Sequence, residues 1–162
     1  ETFIILTPYD GPIFPVSENW QNALNDVLTS SELLTLQSYP AAFTRDLQGD
    51  VAVPSEFMYV RERTVPPGMH DDYLAWQRDE LIPALREAEF GDVRTLRVVH
   101  GGDINTWVRY YFINEIPRLG DANPLVATMG ERAFEQLVAE GDAMTTKASD
   151  LIYRFRSDLS YD

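Results

Sequence analysis

Arginine on strand-forming segments is the chemical irregularity of this chain. Twelve Arg stand beside a single Lys, Lys147, in a sequence with 26 Asp and Glu. Arg61 and Arg63 sit two apart in Phe57–Val65, a run of strand composition, so alternation puts both on one face. Arg154 and Arg156 are spaced the same way, and Arg94, Arg97 and Arg109 fall on two further strand-like runs. A planar guanidinium can grip a carboxylate or other oxyanion with two parallel hydrogen bonds. The pattern could therefore build a basic cleft for an anion. Cross-strand pairing with Glu62, Asp150 or helix acids accounts for the same residues without a ligand, and is the simpler reading.

His100 opens the turn Gly101-Gly102-Asp103-Ile104-Asn105. If the runs on either side of this turn pair as a hairpin, His100 is expected near Tyr59, Trp107 and Tyr111. A histidine there could serve as a general base near neutral pH; one beside a turn more commonly hydrogen-bonds its own loop. His100, Tyr59, Arg61, Arg97, Trp107, Tyr111 and Trp76 form the candidate ligand-binding set, and no catalytic residue is assigned. Trp76, with Tyr73 and Leu81, could line an apolar pocket between a helix and a sheet, although the same residues also suit a plain core. His70 is the only other histidine and no two-histidine helical spacing exists, so neither a metal nor a cofactor is expected. His70-Asp71-Asp72 reads as a helix start whose acids meet the positive end of the dipole. The Gly-Gly pair lacks the Lys and Ser/Thr of a phosphate loop, and Asp103-Ile104-Asn105 lacks the further oxygen ligands of a calcium loop.

These side chains need elements to hold them. At 162 residues and 44% hydrophobic, the chain suits one ordinary domain, or one and a half. A net charge of −13 argues against nucleic acid and against anionic membranes as partners. No apolar run of about 18 residues offers a bilayer span. With no Cys, disulfides and thiol chemistry are excluded. The first residue is Glu rather than Met, so the chain reads as a processed or trimmed product from which a leader could have been lost; the location is left open, leaning extracytoplasmic or secreted.

A strand is expected over residues 2–8, then a helix from about Ser17 with Trp20, Ala23, Leu24, Val27 and Leu28 on one face. Glu32–Leu36 either extends that helix or forms a separate turn. A short strand is expected at Ala41–Thr44, with Pro40 marking it as an edge. Residues 51–56 read as a linker. Then come a strand at 57–65, a helix at 71–88 kinked or divided by Pro83, and paired strands at 93–100 and 106–113. A helix at 124–146, interrupted near Gly130, and a strand at 150–156 complete the order. Strand, helix, strand, strand, helix, strand is satisfied by an antiparallel sheet with helices on one face, the α+β ferredoxin-like βαββαβ unit. Internal similarity extends the reading. Phe43-Thr44-Arg45-Asp46-Leu47-Gln48-Gly49-Asp50 matches Phe155-Arg156-Ser157-Asp158-Leu159-Ser160-Tyr161-Asp162 at Phe, Asp, Leu and the final Asp, 112 positions apart. Glu1–Leu6 is similar in pattern to Asn105–Tyr110. Residues 1–50 are therefore expected to repeat the back half, βαβ, of a unit whose complete copy is 57–162, so that the chain begins in mid-unit.

Val65-Pro66-Pro67-Gly68-Met69, His100-Gly101-Gly102-Asp103, Met129-Gly130-Glu131 and the run Arg154–Tyr161 resemble tandem bacterial proteins of the dimeric α/β-barrel superfamily. The resemblance is close over 57–162 and loose over 1–50. It implies that two units pack sheet to sheet as a barrel, through self-association or a second polypeptide that completes the N-terminal half-unit. It also implies three functional classes. The first is a non-catalytic assembly or binding protein whose units associate through sheet faces and strand edges. The second is a cofactor-free monooxygenase-like enzyme, and the third a haem-binding or haem-degrading protein. The shared motifs are structural punctuation, and no catalytic set carries over from them.

Overall fold

The computed structural model describes residues 34–45, 55–120 and 123–155. Five strands, β1 (Thr35–Phe43), β2 (Phe57–Thr64), β3 (Asp92–His100), β4 (Thr106–Ile113) and β5 (Lys147–Arg154), form one antiparallel sheet in the order β1-β3-β4-β2-β5. Four helices accompany them: α1 (His70–Trp76), α2 (Ile82–Glu87), α3 (Pro124–Met129) and α4 (Glu131–Ala143). From β2 onward the order is that of the ferredoxin-like unit, with β1 added outside β3. The expected strand at residues 2–8 and helix from Ser17 lie outside the described residues.

The central strand shows why this sheet forms. Thr106–Ile113 is β-branched and aromatic almost throughout, and both of its faces are buried. Trp107, Tyr111 and Ile113 pack on the helix side, where Tyr111 and Ile113 share a core with Val93, Leu81, Ile82, Leu85, Leu125 and Leu137. Val108 and Tyr110 point the other way and cluster with Val60 and Val98, a group drawn from strands alone among the described residues. Each fully buried aliphatic side chain, such as Ile82 at 0% and Leu85 at 1% exposure, contributes about 1.5–3 kcal/mol.

β1 begins earlier than Ala41. Thr35 and Leu36 are strand rather than helix or turn, because they pair with His100 and Val98 along the outer side of β3. Pro40, which has no N–H to give, falls in a break of register between Ser38 and Phe43, on a strand with one partner among the described residues, where its missing donor leaves no ladder bond unmade. Thr44 fastens the end of the strand, its Oγ1 donating to the Gly91 carbonyl and accepting from the Val93 amide, both at 2.7 Å.

The first helix is interrupted just ahead of Pro83, as its position suggests. One turn of π-helix, Gln77–Leu81, precedes it, and Pro83 then sits in the first turn of α2, where a missing N–H does no harm. The extra residue of the π turn lets Leu81 and Ile82 both face the core, between Tyr73 and Gln77 before them and Leu85 after. The second helix breaks at Gly130, whose φ of 82° is a conformation that favours glycine. It ends at Ala143 rather than 146, and β5 starts at Lys147 because Thr146 already donates its amide to the Thr64 carbonyl at 2.9 Å.

Gly141 is buried on α4 at its crossing with α1. A Cβ there would lie 2.5 Å from the Trp76 ring. Gly141→Ala gains roughly 1 kcal/mol of helix propensity but overpacks the crossing at a cost of about 1–3 kcal/mol. Denaturant titration is expected to show net destabilisation, relieved when Trp76→Leu is added; an additive double variant would contradict this crossing geometry.

Candidate functional site

The pairing register lines up side chains in rows across the sheet. On the helix side one row runs Thr95, Arg109, Arg61, Asp150, and the next holds Arg97, Trp107, Arg63 and Ala148. Arg109 is therefore central, between strands on both sides and under α1. It is 6% exposed. Its Nε and Nη2 donate to Gln77 Oε1 at 3.1 and 2.8 Å, its Nη1 to the Tyr111 hydroxyl at 2.8 Å, and its Nη2 also to the Tyr73 hydroxyl at 3.2 Å. The Trp76 ring centroid lies 5.7 Å from the guanidinium carbon. All of these partners are neutral.

Gln77 is held by the π turn, and its fixed orientation follows from Arg109, which can only donate. Thr95 Oγ1 also donates to the same Gln77 oxygen, at 3.1 Å. Two buried donors here meet no acceptor among the described residues, Gln77 Nε2 and Trp76 Nε1.

Arg61 and Arg63 differ from Arg109 in having an acid. Asp150, on the edge strand β5, accepts from Arg61 Nε at 3.3 Å and from Arg63 Nη1 at 2.7 Å. Burial tends to raise the Asp150 pKa, but the hydrogen bond from Arg63 and the charges of both arginines outweigh it, and the net shift is downward. Beside them the Tyr59 phenol is pushed up to about 12, chiefly by burial and against the opposing charge of Arg61. Burial likewise raises Tyr73, with Arg109 opposing. Both remain O–H groups at neutral pH.

These groups form one end of a cavity of about 470 Å³ between the sheet and helices α1 and α4. Its other walls are apolar, including Phe90, Leu119, Leu125, Phe134 and Leu137. Of the candidate residues, Tyr59, Arg61, Tyr111 and Trp76 line this cavity. Trp107 stands just behind the wall, 2% exposed and 5.7 Å from the Tyr73 ring. Arg97 lies over the Trp107 ring at 5.8 Å, and its Nε donates to the Ile104 carbonyl at 2.9 Å.

His100 is elsewhere. Tyr111 pairs with Val93 and Trp107 with Arg97, which carries His100 beyond the paired part of the hairpin to an exposed position opposite Thr35. It stands seven positions along the strand from Val93, roughly 20 Å away. His70 is not a helix cap. Its Nδ1 accepts from Trp107 Nε1 at 3.0 Å, so its Nε2 carries the hydrogen toward Asn105 Oδ1 at 3.2 Å. Asp71 and Asp72 do lie in the first turn, without a side-chain cap bond. Gln77 was absent from the candidate set; the available signal was a polar residue four positions after Tyr73 and four before Leu81, on the face that must be core.

No protein-family model matches the chain, and no curated protein matches it significantly. Two solved structures are similar in fold. One is a NIPSNAP family protein from Agrobacterium tumefaciens, with TM-score 0.51 and 12% identity, covering 68% of this chain and 94% of its own. The other is a provisionally assigned monooxygenase from Fusobacterium nucleatum, with TM-score 0.54 and 8% identity; the match covers 85% of this chain and 61% of that one. At such identities the likeness establishes the ferredoxin-like α+β fold and leaves activity open.

Asp150 gives this site a definite acid response. A depressed folded-state pKa contributes stability that is present above the ordinary value of 3.8 and lost as pH falls through the folded value. Asp150→Asn is expected to lower thermal stability at neutral pH, with the difference from wild type vanishing in strong acid. A gap that persists unchanged at low pH would show that the carboxylate's charge is not what matters.

Proposed function

We propose that the chain is a non-catalytic binding protein. Its helix–sheet cavity takes a small, largely apolar compound with a polar end, and its units associate through sheet faces and strand edges. The cavity carries this reading: about 470 Å³ is within the range of small-molecule sites, and its apolar wall is broken by a patch of arginine and tyrosine. Glu135 and Asp142 are the acids of the lining, and neither shares it with a histidine.

Assembly is supported by the position of β1. In the complete unit, 57–162, the terminal strand β5 lies on β2, whereas β1 lies outside β3. β1 begins at Thr35 and β5 at Lys147, the same 112-residue interval that separates Phe43 from Phe155. This supports reading residues 1–50 as the back half of a first unit whose last strand extends the sheet of the second. Strands from another copy, or from a second polypeptide, would then pair along the sides of β1 and β5 that have no partner among the described residues.

A second reading, cofactor-free oxygenation of a bound aromatic, is favoured by the aromatic cavity together with the neighbour described as a monooxygenase. The haem reading gains nothing from the histidines, since His70 is engaged at both ring nitrogens and His100 lies outside the cavity.

Titration with arylalkyl acids and amides, followed by Trp fluorescence, is expected to give saturable binding that Val138→Trp abolishes by filling the cavity. Equal binding by a Val138→Trp variant that melts like wild type would place binding elsewhere. Oxygen uptake on adding an electron-rich phenol would instead establish the second reading. Light scattering on the purified chain is expected to give a mass above 18.5 kDa; a monomer at micromolar concentration would remove the assembly claim.

A further inference from the structure

The hydrogen-bonding inventory of the cavity is one-sided. Arg61 donates from Nε to Asp150, while its Nη nitrogens have no hydrogen-bond partner among the described residues. Arg109 spends its donors on Gln77, Tyr73 and Tyr111, which leaves the two tyrosine hydroxyls as acceptors of those bonds with their own hydrogens free to donate. Trp76 Nε1 is buried without an acceptor. Against these donors stands one carboxylate near the floor, Asp150, already shared by Arg61 and Arg63.

The charge balance points the same way. Arg61, Arg63 and Arg109 line the cavity from the sheet, whereas the two acids of the lining, Glu135 and Asp142, are exposed residues of α4. Arg109 has no acidic partner within 4.0 Å among the described residues. A buried cation held only by neutral acceptors is costly, and an anion that reaches it removes much of that cost.

Resting on the cavity reading above, we propose that the ligand is a monocarboxylate. Its carboxylate sits on the free fork of Arg61, within the field of Arg109 and the donors of Tyr73, Tyr111 and Trp76. Its apolar body lies toward Phe90, Leu119 and Phe134. A planar carboxylate matches the guanidinium fork with two parallel bonds. A phosphate dianion is the poorer fit, because Glu135 and Asp142 on the lining and a net charge of −13 oppose a second negative charge.

Three probes of similar shape test this by calorimetry: 4-phenylbutanoate, 4-phenylbutanamide and 2-phenylethyl phosphate. The acid is expected to bind at least about tenfold more tightly than the amide, as one charge-assisted contact implies. Arg61→Gln, at a half-buried position, is expected to bring that ratio close to one while leaving amide affinity in place. Acid and amide binding alike to wild type would overturn the carboxylate assignment and leave the cavity reading standing. Tighter binding of 2-phenylethyl phosphate would overturn it too. No binding by any probe would overturn both. A ratio that survives in Arg61→Gln would refute the Arg61 seat; there Arg109→Lys, which keeps the charge but loses the fork, is expected to leave the ratio intact if Arg109 acts only through its field.

Discussion

A guanidinium enclosed in the middle of a sheet, with no acid beside it among the described residues, sets the terms for the rest of this structure. Arg109 sits on the central strand, and water cannot reach it well enough to solvate the charge. The molecule answers with aligned neutral acceptors. Gln77 supplies one oxygen to two of its nitrogens, and two tyrosine hydroxyls take the remainder. This arrangement explains the π turn: a polar side chain must arrive at the core face at one place, and leucine and isoleucine must still occupy that face in the next turn.

The neighbouring row of the sheet handles charge differently. Arg63 is as buried as Arg109, but its carboxylate partner lies on β5, at the end of the described sheet. Two solutions thus stand side by side, one built of dipoles and one of an ion pair. The apolar vault above them, from α3, α4 and the segment before α3, turns that contrast into a cavity with one polar end. Tyr73 and Trp107, both buried, and the half-buried His70 support the wall from behind, so the orientation of Tyr73 depends on a hydrogen bond made outside the cavity.

Much of this architecture was legible in the chain. The runs around Gly101-Gly102 are β-branched and aromatic on both sides of a turn, so the β3–β4 hairpin and the βαββαβ order could be read directly. The arginines on strands were visible too, and alternation put Arg61 and Arg63 on one face correctly. What sequence could not give was register. His100 reads as close to Tyr111 until the pairing of Val93 with Tyr111 carries it to the sheet's far end. Thr35-Leu36-Gln37-Ser38 has little strand character of its own, and becomes strand because β3 offers it an unpaired edge. Pro83 invited a kink, since the π turn that accommodates it has no sequence signature. The site residues lay in view singly; their convergence depended on tertiary contacts.

Asp150 lies on a strand whose outer side has no partner among the described residues, and its side chain is 40% exposed. Any polypeptide that docked along β5 would strip water from this carboxylate and tighten its hold on Arg61 and Arg63. The same two cations face the cavity. Edge pairing and cavity occupancy would therefore compete for, or reinforce, one shared set of charges, and by reciprocity each would alter the affinity of the other. A quaternary contact could in this way set how readily the interior accepts an acid, with no moving part beyond a single aspartate.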